Sequence, residues 1–306
     1  MAFNYSLSKF IPFRDEKACA QARAVTRAEI TKHANPKFRI EVIDDKVQFY
    51  SRFALDIVSR IRKTGEAGKK CVLILPVGPV PQYAIAARMI NELGISCRHL
   101  VTFNMDEYAN DQGETAPADW IGSFATSMRQ SFFAKIDAKL RPPDQSIHFP
   151  THKIIDDYWK MIEDAGGADC CYGGIGWCGH IAFWESHLGL EYGDDLAAYK
   201  KAHGRIVELN AMTIMQNALH TFGGDWSWVP PKAASIGPRE ILGARDRSFW
   251  LDGDCGIGGM SWQRFIARLV AHGPVNACVP GSILQESNCG YHILGTVADD
   301  VKIDFA

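Results

Sequence analysis

The chain has 306 residues, 47% of them hydrophobic and 22% charged, with a formal net charge of −2. That balance supports a sizeable buried core and supplies neither the basic field that nucleic acid demands nor a polybasic patch for a membrane surface. No run approaches the roughly 18 apolar residues of a membrane helix, and Met1 to Arg14 lack a charged region followed by an apolar one, so a cytoplasmic protein is expected.

The first 37 residues read as an N-terminal helical extension, with one amphipathic helix from Asp15 to His33 that stops near Asn35-Pro36. Residues 38–306 read as a single α/β domain. Phe38–Ile43 is a strand. Asp44–Arg62 is a helix, with Val47, Tyr50, Phe53, Ala54, Ile57, Val58 and Ile61 at helical spacing. Cys71–Leu75 is a strand, followed by the loop Pro76-Val77-Gly78-Pro79-Val80-Pro81 and a helix from about Gln82 to Leu93. His99–Phe103 is the next strand, and a polar stretch from Ala109 to Pro117 follows it. Helical text runs from Trp120 to Phe133, a short strand covers Ser146–Phe149, a helix Thr151–Ala165 and a strand Ala168–Tyr172. Arg205–Leu209, Ala233–Ile236, Ser248–Leu251 and Tyr291–Val297 are further strands.

Strands alternating with helices of this length imply a Rossmann-like three-layer α/β/α sandwich around a mostly parallel sheet. Ligands of such sheets bind beyond the carboxyl ends of the strands. Two segments lie there together: Thr102-Phe103-Asn104-Met105-Asp106-Glu107-Tyr108, and the glycine-rich Gly173-Gly174-Ile175-Gly176-Trp177-Cys178-Gly179-His180-Ile181-Ala182-Phe183-Trp184-Glu185. Taken alone, an aspartate after a strand is more often a cap or turn residue than a catalyst. Here carboxylates and an imidazole converge on one rim.

The nine cysteines include no C-x-x-C pair and do not form a disulfide framework in a chain of this length. Cys170-Cys171 read as buried thiols in a strand. His148 and His152 have helical spacing, but Pro150 between them argues against a helix, so no metal pair is expected. Gly174-Ile175-Gly176-Trp177-Cys178-Gly179 has the G-x-G-x-x-G order, which taken alone is a weak signal of a dinucleotide site. No cofactor and no metal is called for.

Phe103-Asn104-Met105-Asp106-Glu107-Tyr108 and Gly179-His180-Ile181-Ala182-Phe183 with Glu185 resemble the glucosamine-6-phosphate deaminase (isomerase) family. The similarity runs from about Phe38 to Asp300 and takes in Leu75 to Gly78, Thr213 to Asn217 and Ser282 to Gln285. It implies a metal-free conversion of an amino aldose to a ketose with loss of ammonia. By the resemblance, Asp106 is the base that takes the C2 proton and returns it at C1. His180 assists ring opening, and Glu185 orients or charges its imidazole. A carboxylate suits proton abstraction beside a carbonyl or iminium, and histidine shuttles protons near neutral pH. Gly78, Glu107, Cys178, Trp184 and Arg239 are the candidate substrate contacts, with a structural acid as the alternative for Glu107. The partner is a small sugar or sugar phosphate, and a homo-oligomer is compatible with the resemblance.

The chain departs from the family pattern where a phosphate would bind. The family loop reads threonine-glycine-glycine/serine-threonine-proline, whereas Val77-Gly78-Pro79-Val80-Pro81 stands here, and Pro79 has no N–H to offer. The family's phosphate arginine falls on Leu219, and its lysine in Gly253-Asp254-Cys255-Gly256, which has none. Each lost charge-assisted hydrogen bond removes roughly 1.5–3 kcal/mol. An aspartate expected before the histidine is Cys178, and Trp184 stands where a small polar residue is usual, which suggests stacking on a sugar face. Arg239 is the first candidate to replace the lost cations, ahead of Arg88 and Lys232. The expected activity is therefore an amino-sugar deaminase/isomerase with an altered phosphate site. A non-catalytic sugar-binding or regulatory homologue is the alternative. A sugar lactone hydrolase is a third reading, opposed by Tyr108 and the Ile181-Ala182-Phe183 ending.

Overall fold

A computed structural model describes residues 5–255 and 260–303. The strands follow the chain as β1 (Phe38–Ile43), β2 (Cys71–Leu75), β3 (Leu100–Asn104), β4 (Asp106–Ala109), β5 (Ile147–His148), β6 (Cys170–Gly173), β7 (Arg205–Glu208), β8 (Lys232–Ser235), β9 (Asp246–Leu251) and β10 (Cys289–Leu294). Among the described residues, seven of them form one sheet in the order β1-β10-β9-β6-β2-β3-β5, with every neighbouring pair parallel. β2 and β6 are buried along their whole length, as strands covered on both faces must be. A second, three-stranded antiparallel sheet, β4-β8-β7, lies beyond the carboxyl end of β3.

The helix Lys46–Glu66 shows how local sequence sets the layers. Asp45 caps it by accepting the Gln48 N–H at 2.6 Å. Phe49, Phe53, Ala54, Ile57, Val58 and Ile61 form its buried stripe. Val47 shares the angular position of Ala54 and Val58 on that stripe but lies in the first turn, at the end of the helix, and is 72% exposed.

Several expectations need correction. The first helix is Glu16–Ala24, shorter than 15–33: Val25 turns extended, and Thr26 closes a separate turn by hydrogen bonding Glu29 at 2.7 Å. This stretch is packed on the rest of the fold, with Ala18, Cys19, Ala22 and Ile30 in the main core. The Arg268 Nε donates to Val25 O at 2.7 Å. The helical text at 120–133 yields Phe124–Ser131, and that at 151–165 yields a 3-10 turn followed by Tyr158–Asp164. His148 belongs to β5, stacked on Phe103 with ring centres 4.6 Å apart, while His152 accepts the Thr115 N–H, so the two do not converge. Among the described residues no helix is long and apolar enough to cross a membrane.

Candidate active site

The central strands β9, β6, β2 and β3 all end at one cavity of about 370 Å³, within the range of small-molecule sites, roughly 300–1,000 Å³. The loop after β2 supplies Pro76 to Pro81. The β3–β4 junction supplies Met105, Asp106 and Tyr108, and the loop after β6 supplies Gly174, Ile175, Gly176, His180, Ala182 and Phe183. The end of β9 supplies Trp250 and Asp252, and Trp262 and Gln263 follow. The helix Ala211–Thr221 closes one side with Gln216, Asn217, His220 and Thr221.

Asp106 opens β4. The chain passes from the parallel sheet to the antiparallel one there. Met105 N–H donates to Leu75 O and Met105 O accepts from Ile236 N–H, at 3.1 and 2.9 Å, so the junction is fixed from both sides. Asp106 is 7% exposed. Burial, reinforced by the neighbouring Glu107 charge, pushes its pKa from 3.8 up to about 7, while His180 pulls it down. A base poised near neutral pH is what proton transfer at carbon requires.

Glu107 faces the other way. Its carboxylate accepts the N–H groups of Phe124, Ala125 and Tyr108 at 2.9, 2.9 and 3.0 Å and the Ser123 hydroxyl at 3.1 Å. It therefore neutralises the amino end of the helix Phe124–Ser131 and does not line the cavity, which corrects its reading as a substrate contact. Burial raises its pKa despite those donors.

His180 sits on a turn whose geometry needs glycine at two places. Gly179 has φ +85°, and a Cβ on Gly176 would lie 1.9 Å from His180 Nε2. The imidazole thus lies flat against the Gly176 backbone. Its Nδ1 is surrounded by Thr213 Oγ1 at 2.9 Å, Cys178 Sγ at 3.3 Å and Glu185 Oε2 at 3.3 Å. The Cys178 thiol and the Thr213 hydroxyl each reach Glu185 Oε2 at 3.0 Å, and Asn210 N–H donates to the other carboxylate oxygen at 3.2 Å. Burial alone would lower the His180 pKa, but Cys178 and Glu185 outweigh it and hold it well above the ordinary value. Glu185, fully buried, is pulled low by His180 against the opposing effect of burial. Cys178 thus occupies a hydrogen-bonding place behind the imidazole rather than one on the cavity wall. Among the described residues, Cys178, His180 and Glu185 also bring their ligand atoms within 4.8 Å of one another, close enough to hold a metal ion.

Two candidates fall elsewhere. Trp184 is 1% exposed and packs in a second core with Tyr108, Phe183, Leu188 and Tyr199, under the antiparallel sheet. Its ring faces Arg205 at 5.3 Å, so it offers no surface to a ligand. Arg239 pairs with Glu163 at 3.1 Å and lies 3.5 Å above the Trp159 ring. The reason is topological: β8 belongs to the antiparallel sheet, so the chain after it does not emerge at the rim of the parallel one. Arg88 pairs with Glu92, and Lys232 donates to Asp111 O. Leu219 is 57% exposed, and its neighbour His220 faces the cavity instead. Asp254 pairs with Lys46 at 3.1 Å, and Gly256 lies outside the described residues. Gly78 lines the cavity as expected from its loop. Sequence reasoning missed Trp250, Asp252, Gln216, His220, Trp262 and Gln263, which no spacing connects to Asp106 and His180.

No family model matches the chain. The glucosamine-6-phosphate deaminase of Caenorhabditis elegans is 34% identical over 242 residues, covering 73% of this chain and 83% of that protein. Glucosamine-6-phosphate deaminase 2 of Giardia intestinalis is 30% identical over 249 residues, 78% and 84% of the two chains. The glucosamine-6-phosphate isomerase of Candida albicans is 32% identical over 235 residues, 74% and 84% of the two chains. In structure, a monomeric glucosamine-6-phosphate deaminase superposes with a TM-score of 0.70 at 22% identity, covering 85% of this chain and 98% of that one. The 6-phosphogluconolactonase of Thermotoga maritima reaches 0.57 at 14% identity, covering 83% and 98%. These structural likenesses speak to the fold.

Proposed function

The chain belongs to the glucosamine-6-phosphate deaminase family, and from that premise we propose that it converts an amino aldose to the corresponding ketose with release of ammonia. The carrying observation is that Asp106 and His180 face one cavity, with Glu185 and Thr213 behind the imidazole.

His180, held protonated by its buried partners, relays the proton that opens the pyranose to its aldehyde. Asp106 then removes the C2 hydrogen as a proton, and the electron pair forms the enol of the amino sugar. The same carboxyl returns its proton at C1, leaving an iminium at C2. Water adds to that carbon and ammonia leaves, so the ketose forms with no oxidant or reductant. Glu185 does not touch the substrate in this scheme. It is a positioning residue that fixes the Nδ1 side of the ring, helped by Thr213 and Cys178. The burial that raises Asp106 also excludes water from the carbon acid.

Ammonia release from glucosamine 6-phosphate and from glucosamine, measured on wild type and Asp106→Asn, tests the reading. Release that drops by about 10³-fold or more in the variant supports it. Release that persists at the wild-type rate removes Asp106 from the chemistry.

A further inference from the structure

We infer that the β9 end of the cavity takes an uncharged, hydroxyl-bearing terminal group, so that the substrate is an unphosphorylated amino sugar. The inference rests on the deaminase reading for the sugar's other end. In the sheet, β9 lies three strand steps from β3, about 14 Å at the usual strand spacing. Asp252 and Trp262 therefore mark the far end of a site whose near end is Asp106.

A phosphate dianion accepts hydrogen bonds and donates none, so its site needs cations, hydroxyls or backbone N–H groups. Among the described residues no lysine or arginine lines this cavity, and residues 256–259 are Gly-Ile-Gly-Gly, which add no cationic side chain. Pro76, Pro79 and Pro81 remove three N–H groups from the loop beneath it. Asp252 brings a carboxylate to the wall, held by the Tyr50 hydroxyl at 2.6 Å. Burial raises the Asp252 pKa against the opposing effects of Tyr50, His220 and Lys46, and Lys46 is itself engaged by both oxygens of Asp254 at 3.1 Å. Desolvation keeps His220 below the ordinary imidazole pKa, so it is neutral at pH 7.

What this end does offer matches a hydroxyl. Among the described residues the Trp262 indole N–H has no hydrogen-bond partner, and Trp262 lines this end of the cavity. Asp252, on the wall of the same cavity, is an acceptor. A hydroxyl both accepts and donates, and so satisfies the pair; a phosphate would leave Asp252 facing a like charge.

Calorimetry with two unreactive open-chain probes, 2-amino-2-deoxyglucitol and its 6-phosphate, tests this on the full chain. The alcohol is expected to bind about 10²-fold more tightly, and Asp252→Asn to narrow the gap about tenfold. Equal or tighter binding of the phosphate by the wild type, or binding of neither probe, overturns the inference. Ammonia assays separate it from the reading beneath it. Asp106-dependent release that favours glucosamine 6-phosphate keeps the deaminase and removes the terminal-group assignment. Tight binding of the alcohol with no ammonia from glucosamine does the reverse.

Discussion

Asp106→Asn should make the protein more stable as it destroys activity, and by an amount that depends on pH. The Asp106 carboxyl titrates at about 7 in the fold against an ordinary 3.8. The folded state therefore holds the proton that the unfolded chain has already lost. As pH rises from about 4 to 7, stability falls, and above 7 the loss is complete. Three pKa units correspond to about 4 kcal/mol, at 1.36 kcal/mol each. Asparagine cannot ionise and escapes this. At pH 5 the wild type already bears roughly 1.5 kcal/mol of the loss, so the advantage of the variant should grow by about 2–3 kcal/mol between pH 5 and pH 8. Denaturant titrations of both proteins at the two pH values measure it. The kcat/KM profile of the wild type should fall tenfold per pH unit below about 7. An Asn–Asp stability difference that is the same at both pH values, together with activity that holds level down to pH 5, would refute the assignment of a raised pKa to Asp106.

Other perturbations separate the roles around it. Gly176→Ala places a methyl 1.9 Å from His180 Nε2, so the imidazole must move; kcat should drop about 100-fold while the near-ultraviolet circular dichroism stays native. Glu107→Gln removes the charge from a cap that accepts four hydrogen bonds; denaturation should show a loss of about 2–3 kcal/mol, with KM unchanged. Cys178→Asp sets a second carboxylate against His180 Nδ1, now 3.3 Å from the thiol; the imidazole should keep its proton to higher pH, and the alkaline limb of kcat/KM should move upward with it.

The parallel sheet was legible because its strands announce themselves. Cys71–Leu75 and Cys170–Gly173 are buried on both faces, so they appear as unbroken apolar runs bounded by loops. β4 was not legible. Asp106-Glu107-Tyr108-Ala109 places two acids side by side, which reads as a loop, yet all four residues are buried. The acids survive there because one faces a polar cavity and the other caps a helix. The same hidden strand defeated two ligand assignments. Without the antiparallel sheet, Arg239 looks as if it follows a rim strand, and Trp184 looks like a platform beside a catalytic motif. With it, Trp184 is the core beneath that sheet, and Arg239 is carried off to Glu163. Asp106, His180 and Glu185 could be named from their motifs alone. Asp252 and Trp262 could not, since only the sheet order brings the end of β9 to the same cavity, nor could His220, which arrives on the helix Ala211–Thr221.

The central claim is that one carboxyl, Asp106, carries a proton from C2 to C1 of the sugar. Running the reaction in ordinary water with C2-deuterated glucosamine and with its 6-phosphate, and reading the ketose by proton and deuterium NMR, tests this most directly. Deuterium at C1 of the ketose, formed in step with ammonia and lost in Asp106→Asn, is the predicted result. Ammonia release with hydrogen only at C1 and an undiminished rate in the variant would contradict it.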